Sequence, residues 1–130
     1  MLRRKLSSDP RSVNEVEHFV ENLVHKYQLN PDIYGNILVS VTEAVTNAIR
    51  HGNRNDHSKT VELELKKCKD KLSFRVSDQG KGFDYRNLPD PTHPDNLLKC
   101  GGRGVFLMRT LCDRLRFTNN GSTVEMDFKI

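Results

Sequence analysis

Apolar residues recur at three- and four-residue steps in two early stretches of the chain, then switch to a two-residue alternation. In the first stretch Val13, Val16, Phe19, Val20, Leu23, Val24 and Tyr27 trace one stripe of a helix, with Ser12 and Glu15 as a capping-box pattern at its start. The second stretch opens at Asn30-Pro31, an N-cap residue followed by proline at the helical position where its missing N–H costs nothing. It runs to about Arg50. Ile37, Leu38, Val41, Val45, Ala48 and Ile49 supply its buried stripe, whereas Ser40, Glu43, Asn47 and His51 fall on another face, so Glu43 and Asn47 point the same way. A short candidate edge strand, Leu2 to Leu6, precedes both helices and ends at the turn-prone Ser7-Ser8-Asp9-Pro10.

Beyond the breaker cluster Gly52-Asn53-Arg54-Asn55-Asp56, Val61, Leu63 and Leu65 alternate with Glu62, Glu64 and Lys66, the pattern of a half-buried strand. Cys68-Lys69-Asp70-Lys71 turns the chain and Leu72, Phe74 and Val76 alternate again. The pair predicts an antiparallel hairpin that delivers Asp78 at a sheet edge or floor. From Phe83 to Cys100 the chain carries Pro89, Pro91 and Pro94 and no sustained period, which predicts a lid-like loop. Val105, Phe106, Leu107, Met108, Leu111 and Leu115 then predict an apolar helix closed by Asp113-Arg114. The segments Leu115–Thr118 and Val124–Phe128 flank Asn119-Asn120-Gly121-Ser122 as a hairpin. The order predicts an α+β fold, a two-layer α/β sandwich whose mixed, mostly antiparallel sheet carries three helices on one face. With 130 residues, enough for one core, the whole chain (1–130) reads as a single domain.

Composition narrows the function classes. Twenty-one Lys and Arg against seventeen Asp and Glu give a formal net charge of +4, a modest excess that permits nucleic-acid binding without implying it. The local groups Arg3-Arg4-Lys5 and Lys66-Lys67 with Lys69 and Lys71 lack interleaved aromatics and read as a solvated strand edge and hairpin tip. Cys68, Cys100 and Cys112 form no C-x-x-C pair, which speaks against a zinc cage or disulfide framework and for a reducing compartment. No apolar run suits a signal peptide or a membrane span, so the expectation is a cytoplasmic protein with no membrane contact.

Three short blocks carry candidate chemistry. Gly101-Gly102-Arg103-Gly104 opens a helix, where backbone N–H groups free of neighbouring Cβ atoms and the positive end of the helix dipole suit a phosphate; Arg103 or Lys99 offers a charge-assisted contact. Asp78-Gln79-Gly80-Lys81-Gly82 places a carboxylate at a strand end, able to accept a hydrogen bond from an exocyclic amine such as adenine N6, before two glycines that allow close ligand approach. Glu43 and Asn47, one helical turn apart, suit magnesium-assisted phosphoryl transfer: the amide oxygen is a hard ligand for Mg²⁺ and the carboxylate can orient or deprotonate an attacking hydroxyl. A Rossmann reading fits poorly because these glycines follow a long loop late in the chain, and no Walker A motif occurs. Taken singly, each block has a bland alternative: a packing glycine, a β-turn, a polar helix face.

In this order the blocks resemble the N, G1 and G2 boxes of the Bergerat-fold, or GHKL, ATP-binding family. The chain is similar to its anti-sigma-factor serine/threonine protein kinases, which act in bacterial partner switching. Val41 to Gly52 resembles the N box, Val76 to Phe83 the G1 box and Gly102 to Met108 the G2 box, so the likeness spans nearly the entire chain. The resemblance implies that Asn47 binds Mg²⁺ and that Glu43 is the general base for phosphorylating a serine or threonine of a protein. It implies that Asp78 reads the adenine of ATP, that Gly80 and Gly82 shape the adenine side, and that Gly102, Arg103 and Gly104 meet the phosphates. It also implies an ATP lid over residues 84–100, a STAS-domain anti-anti-sigma protein as phosphorylation target, a sigma factor as competing partner, and a homodimer. No phosphoacceptor-histidine helix or sensor domain precedes the pocket, which argues against a complete histidine kinase. Where some relatives carry a phosphate-touching arginine just before the G2 box, this chain has Cys100-Gly101. That departure keeps a second expectation open, a noncatalytic interaction module in which ATP sets the lid for partner exchange.

Overall fold

The alternating segments form one five-stranded sheet, and the computed structural model describes residues 1–82 and 103–130. The strands are β1 (Leu2–Ser7), β2 (Thr60–Cys68), β3 (Lys71–Ser77), β4 (Arg114–Thr118) and β5 (Thr123–Lys129), in the order β1-β2-β3-β5-β4. All four pairings among the described residues are antiparallel, where the sequence predicts a mixed, mostly antiparallel sheet. Its inner face presents Leu6, Val61, Leu63, Leu65, Leu72, Phe74, Val76, Val124, Met126 and Phe128, all buried. Phe74 and Phe128 meet edge to face with ring centroids 5.8 Å apart, a favoured aromatic geometry. The alternate positions are polar, and a row of opposite charges crosses the strands: Arg3 pairs with Glu62 and Glu64, and Arg75 and Arg116 both pair with Glu125. A face so charged stays in water, which confines the helices to the other side.

Helices α1 (Val13–Tyr27), α2 (Pro31–Asn47) and α3 (Arg103–Leu111) make the second layer, with α2 packed between α1 and α3. Asn30 caps α2 as predicted, its Oδ1 accepting from the Ile33 N–H at 2.9 Å. The Ser12–Glu15 capping box does not form. A short 3₁₀ turn, Pro10–Ser12, runs straight into α1 and leaves Ser12 already helical (φ −64°, ψ −17°), unable to cap. The cap moves to the extended Asp9, whose Oδ1 accepts from the Arg11 N–H, and Ser12 Oγ bonds Ser7 Oγ instead.

Two other expectations are corrected. Leu115 belongs to β4, opposite Met126, because α3 ends at Leu111 and Asp113 N already donates to Asp127 O of β5. A leucine four residues past Leu111 satisfied both periods, and its tertiary partner decided between them. Ser40 shares no exposed polar face with Glu43: it is fully buried where α2 packs, with its Oγ unpartnered among the described residues. The expected lid falls on residues outside those described.

Candidate functional site

Asp78 follows β3, the middle strand of the sheet, so it stands on the floor rather than at an edge. Its backbone N–H donates to Ser122 O at 2.9 Å, extending the β3–β5 ladder by one residue, and its Oδ1 accepts from the Gly80 N–H at 2.8 Å. That local bond occupies one oxygen, while Oδ2, which lies against Gly52, accepts no hydrogen bond among the described residues. Burial raises the Asp78 carboxyl above its ordinary pKa, with the Gly80 N–H and the nearby Lys59 partly opposing the shift.

The end of α2 reaches this strand end through an irregularity. After Asn47 the helix widens into one π-helical turn, Ala48–Gly52, in which the Asn53 N–H donates to Ala48 O at 2.8 Å. Such turns often mark functional sites. The turn sets Gly52 against Asp78 so closely that a Cβ at Gly52 would lie 2.3 Å from the carboxylate carbon. A Cβ at Gly80 would lie 2.0 Å from Gly52 O, and one at Gly82, whose φ of +84° is itself a glycine conformation, 2.0 Å from Asn120 O. Asn120 can sit there because Asn119, Asn120 and Gly121 all take positive φ in the β4–β5 turn. Backbone packing therefore by itself requires glycine at 80 and 82.

On the other side of the site Glu43 and Asn47 converge, as their spacing predicts, on the first turn of α3. A Cβ at Gly104 would stand 2.8 Å from Glu43 Oε2, 2.9 Å from Asn47 Nδ2 and 3.6 Å from Asn47 Oδ1. Neither side chain makes a hydrogen bond among the described residues. A carboxylate, an amide and a helix N-terminus free of a Cβ thus share one small cradle. That donor set is hard oxygen plus backbone N–H, suited to phosphates and a magnesium ion that keeps most of its waters.

The structure therefore brings Glu43, Asn47 and Gly104 together on one side and Asp78, Gly80 and Gly82 on the other, joined by the π turn. Arg103 is the first residue of α3, and Gly102 and Lys99 lie outside the described residues. Sequence reasoning gave no site role to Gly52, which closed the N-box resemblance, or to Asn53, which read only as part of a breaker cluster. Its place at the end of the N-box resemblance, directly after the polar helix face, was the signal available for Gly52.

The sequence model of the histidine kinase-like ATPase domain family matches residues 6–128, a span that takes in both halves of this cradle. The chain belongs to that family. Within it, this histidine kinase-like ATPase domain is 28% identical to the serine-protein kinase RsbW of Bacillus velezensis and equally to that of Bacillus subtilis. Each alignment covers 96% of this chain and 82% of the relative. It is 37% identical to the anti-sigma F factor of Clostridium perfringens, over 79% of both chains. Among the described residues of the domain, no helix is long and apolar enough to cross a membrane.

Proposed function

We propose that this chain is an ATP-dependent protein serine/threonine kinase that acts as an anti-sigma factor, or a similar partner-switching regulator, in the cytoplasm. It would phosphorylate a STAS-domain antagonist and sequester a sigma factor. The observation that carries the reading is the convergence of Glu43 and Asn47 on the Cβ-free start of α3, 2.8 and 2.9 Å from the Gly104 Cβ position. The relatives named serine-protein kinase and anti-sigma F factor support the activity and the partner class.

In this reading Asn47 Oδ1 holds Mg²⁺, while Gly102, Arg103 and Gly104 receive the phosphates at the positive end of α3. Bound ATP with its metal supplies the transferable γ-phosphoryl group and the charge that neutralises it. Asp78 Oδ2 accepts a hydrogen bond from the adenine amine. Gly80 and Gly82 shape the adenine side. Glu43 orients the partner's serine or threonine hydroxyl and takes up its proton on a carboxylate oxygen. Such general-base assistance is worth about 10²–10⁴-fold in rate.

Incubation with radiolabelled ATP, Mg²⁺ and a STAS-domain protein should label a serine or threonine of that partner, and Glu43→Ala should lower the rate by about 10²-fold or more. The kinase reading fails if no label is transferred, or if Glu43→Ala leaves the rate unchanged. Cys100-Gly101, where an arginine is expected, favours a second reading as a noncatalytic ATP-dependent module. Tight Mg²⁺-dependent nucleotide binding without any transfer would select it.

A further inference from the structure

Asn53 is a polar residue only 1% exposed, and its amide makes three hydrogen bonds to three separate segments. Its Nδ2 donates to Ser8 Oγ, just after β1, at 2.7 Å and to Thr60 O, the first residue of β2, at 2.9 Å. Its Oδ1 accepts from the Gln79 N–H at 2.8 Å. The amide's orientation follows from its partners, since a backbone carbonyl can only accept and a backbone N–H can only donate. Gln79 is the residue between Asp78 and Gly80, and its own Oε1 returns to the Thr60 N–H at 2.8 Å. Asn53 also closes the π turn through its backbone N–H. One side chain therefore ties the end of α2 to the turn that carries Asp78.

We propose that Asn53 is a positioning residue that sets the pocket's preference for adenine over guanine by holding the Asp78–Gly80 turn. The inference rests on Asp78 reading the base, as proposed above. Adenine presents an amine to the Asp78 carboxylate where guanine presents a carbonyl oxygen, so discrimination depends on where Oδ2 stands. The Gln79 N–H bond fixes the backbone one peptide away from it. Without the Asn53 amide, Gln79 N–H and Thr60 O lose a buried partner, and the turn relaxes away from Gly52.

The test compares binding of non-hydrolysable ATP and GTP analogues by calorimetry for the unmodified protein, Asn53→Ala, Ser8→Ala and Asp78→Asn, with melting temperatures for each. Asn53→Ala should lower the ATP-to-GTP preference by about tenfold, the scale of one or two lost hydrogen bonds. Ser8→Ala, which removes one Asn53 partner and leaves Gln79 held, should lower the melting temperature with the preference intact. An Asn53→Ala protein that melts lower but keeps its preference, while Asp78→Asn loses it, overturns the positioning role alone. A wild-type protein without ATP preference, or an Asp78→Asn variant that retains it, overturns the adenine reading and this inference with it. Should Asn53→Ala not fold, amide exchange in the unmodified protein decides. The Gln79 N–H should exchange as slowly as the β3 amides, and fast exchange overturns the proposal.

Discussion

Replacing Gly104 with alanine should separate the site from the fold. Gly104 is the second residue of α3, and alanine in a helix is favoured over glycine by about 0.5–1 kcal/mol, so the fold itself gains or holds. The added methyl, however, would stand 2.8 Å from Glu43 Oε2 and 2.9 Å from Asn47 Nδ2. Comfortable non-bonded separations begin at about 3.5 Å, so each side-chain end must retreat by roughly 0.6–0.7 Å. Both neighbours are side chains and can move, which relieves the clash at the expense of the geometry. Misplacing a reacting group by about 1 Å costs on the order of 10²-fold in rate. The expected outcome is an unchanged or raised melting temperature with phosphoryl transfer to a STAS-domain partner reduced on the order of 10²-fold. Steady-state phosphorylation, run beside thermal melting of the same preparation, checks it. A Gly104→Ala protein that transfers within about threefold of the unmodified chain would place the reaction away from the Glu43–Asn47–Gly104 cradle, well short of the expected loss.

The raised pKa of Asp78 has a pH consequence: the native state holds this proton more tightly than the unfolded chain, so stability falls as pH rises from the unfolded pKa through the folded one. Asp78→Asn, which can still accept from the Gly80 N–H, should melt at or above the unmodified protein at neutral pH, with the gap narrowing on acidification. Calorimetric scans between about pH 3 and pH 7 would read it, spanning the unfolded carboxylate value. The side-chain and backbone hydrogen bonds from Arg11 hold the Asp9 carboxyl down at about 2, so NMR titration should find it there and Arg11→Ala should return it towards the ordinary value. The stabilisation from this lowered pKa is present above the unfolded value and is lost as pH falls through about 2. Phe74→Ala removes a fully buried ring from the central strand and should cost about 3–5 kcal/mol in urea unfolding.

Elements with strong local signals were legible in the chain. Asn30-Pro31 started α2 because the cap and the proline act on their own neighbours, and the Leu72, Phe74, Val76 alternation fixed which face of β3 is buried. Glu43 and Asn47 shared a face because helical spacing alone requires it. Where local signals were ambiguous, distant partners decided. Ser12 lost its cap to Asp9 when a 3₁₀ turn made it helical, Leu115 followed its pairing with Met126 into the sheet, and Ser40 sank into the layer interface.

The sequence by itself thus determined the elements, the polar triplet of blocks and the family they belong to, because periodicity, capping and motif order are properties of neighbouring residues. Only the tertiary structure decided that Asp78 stands on the central strand, that Gly104 meets Glu43 and Asn47, and that Asn53 bridges three segments. Apart from the Asn53–Thr60 bond, those contacts join residues 26 to 61 positions apart. They depend on strand order and on one π-helical turn, neither of which any local pattern encodes.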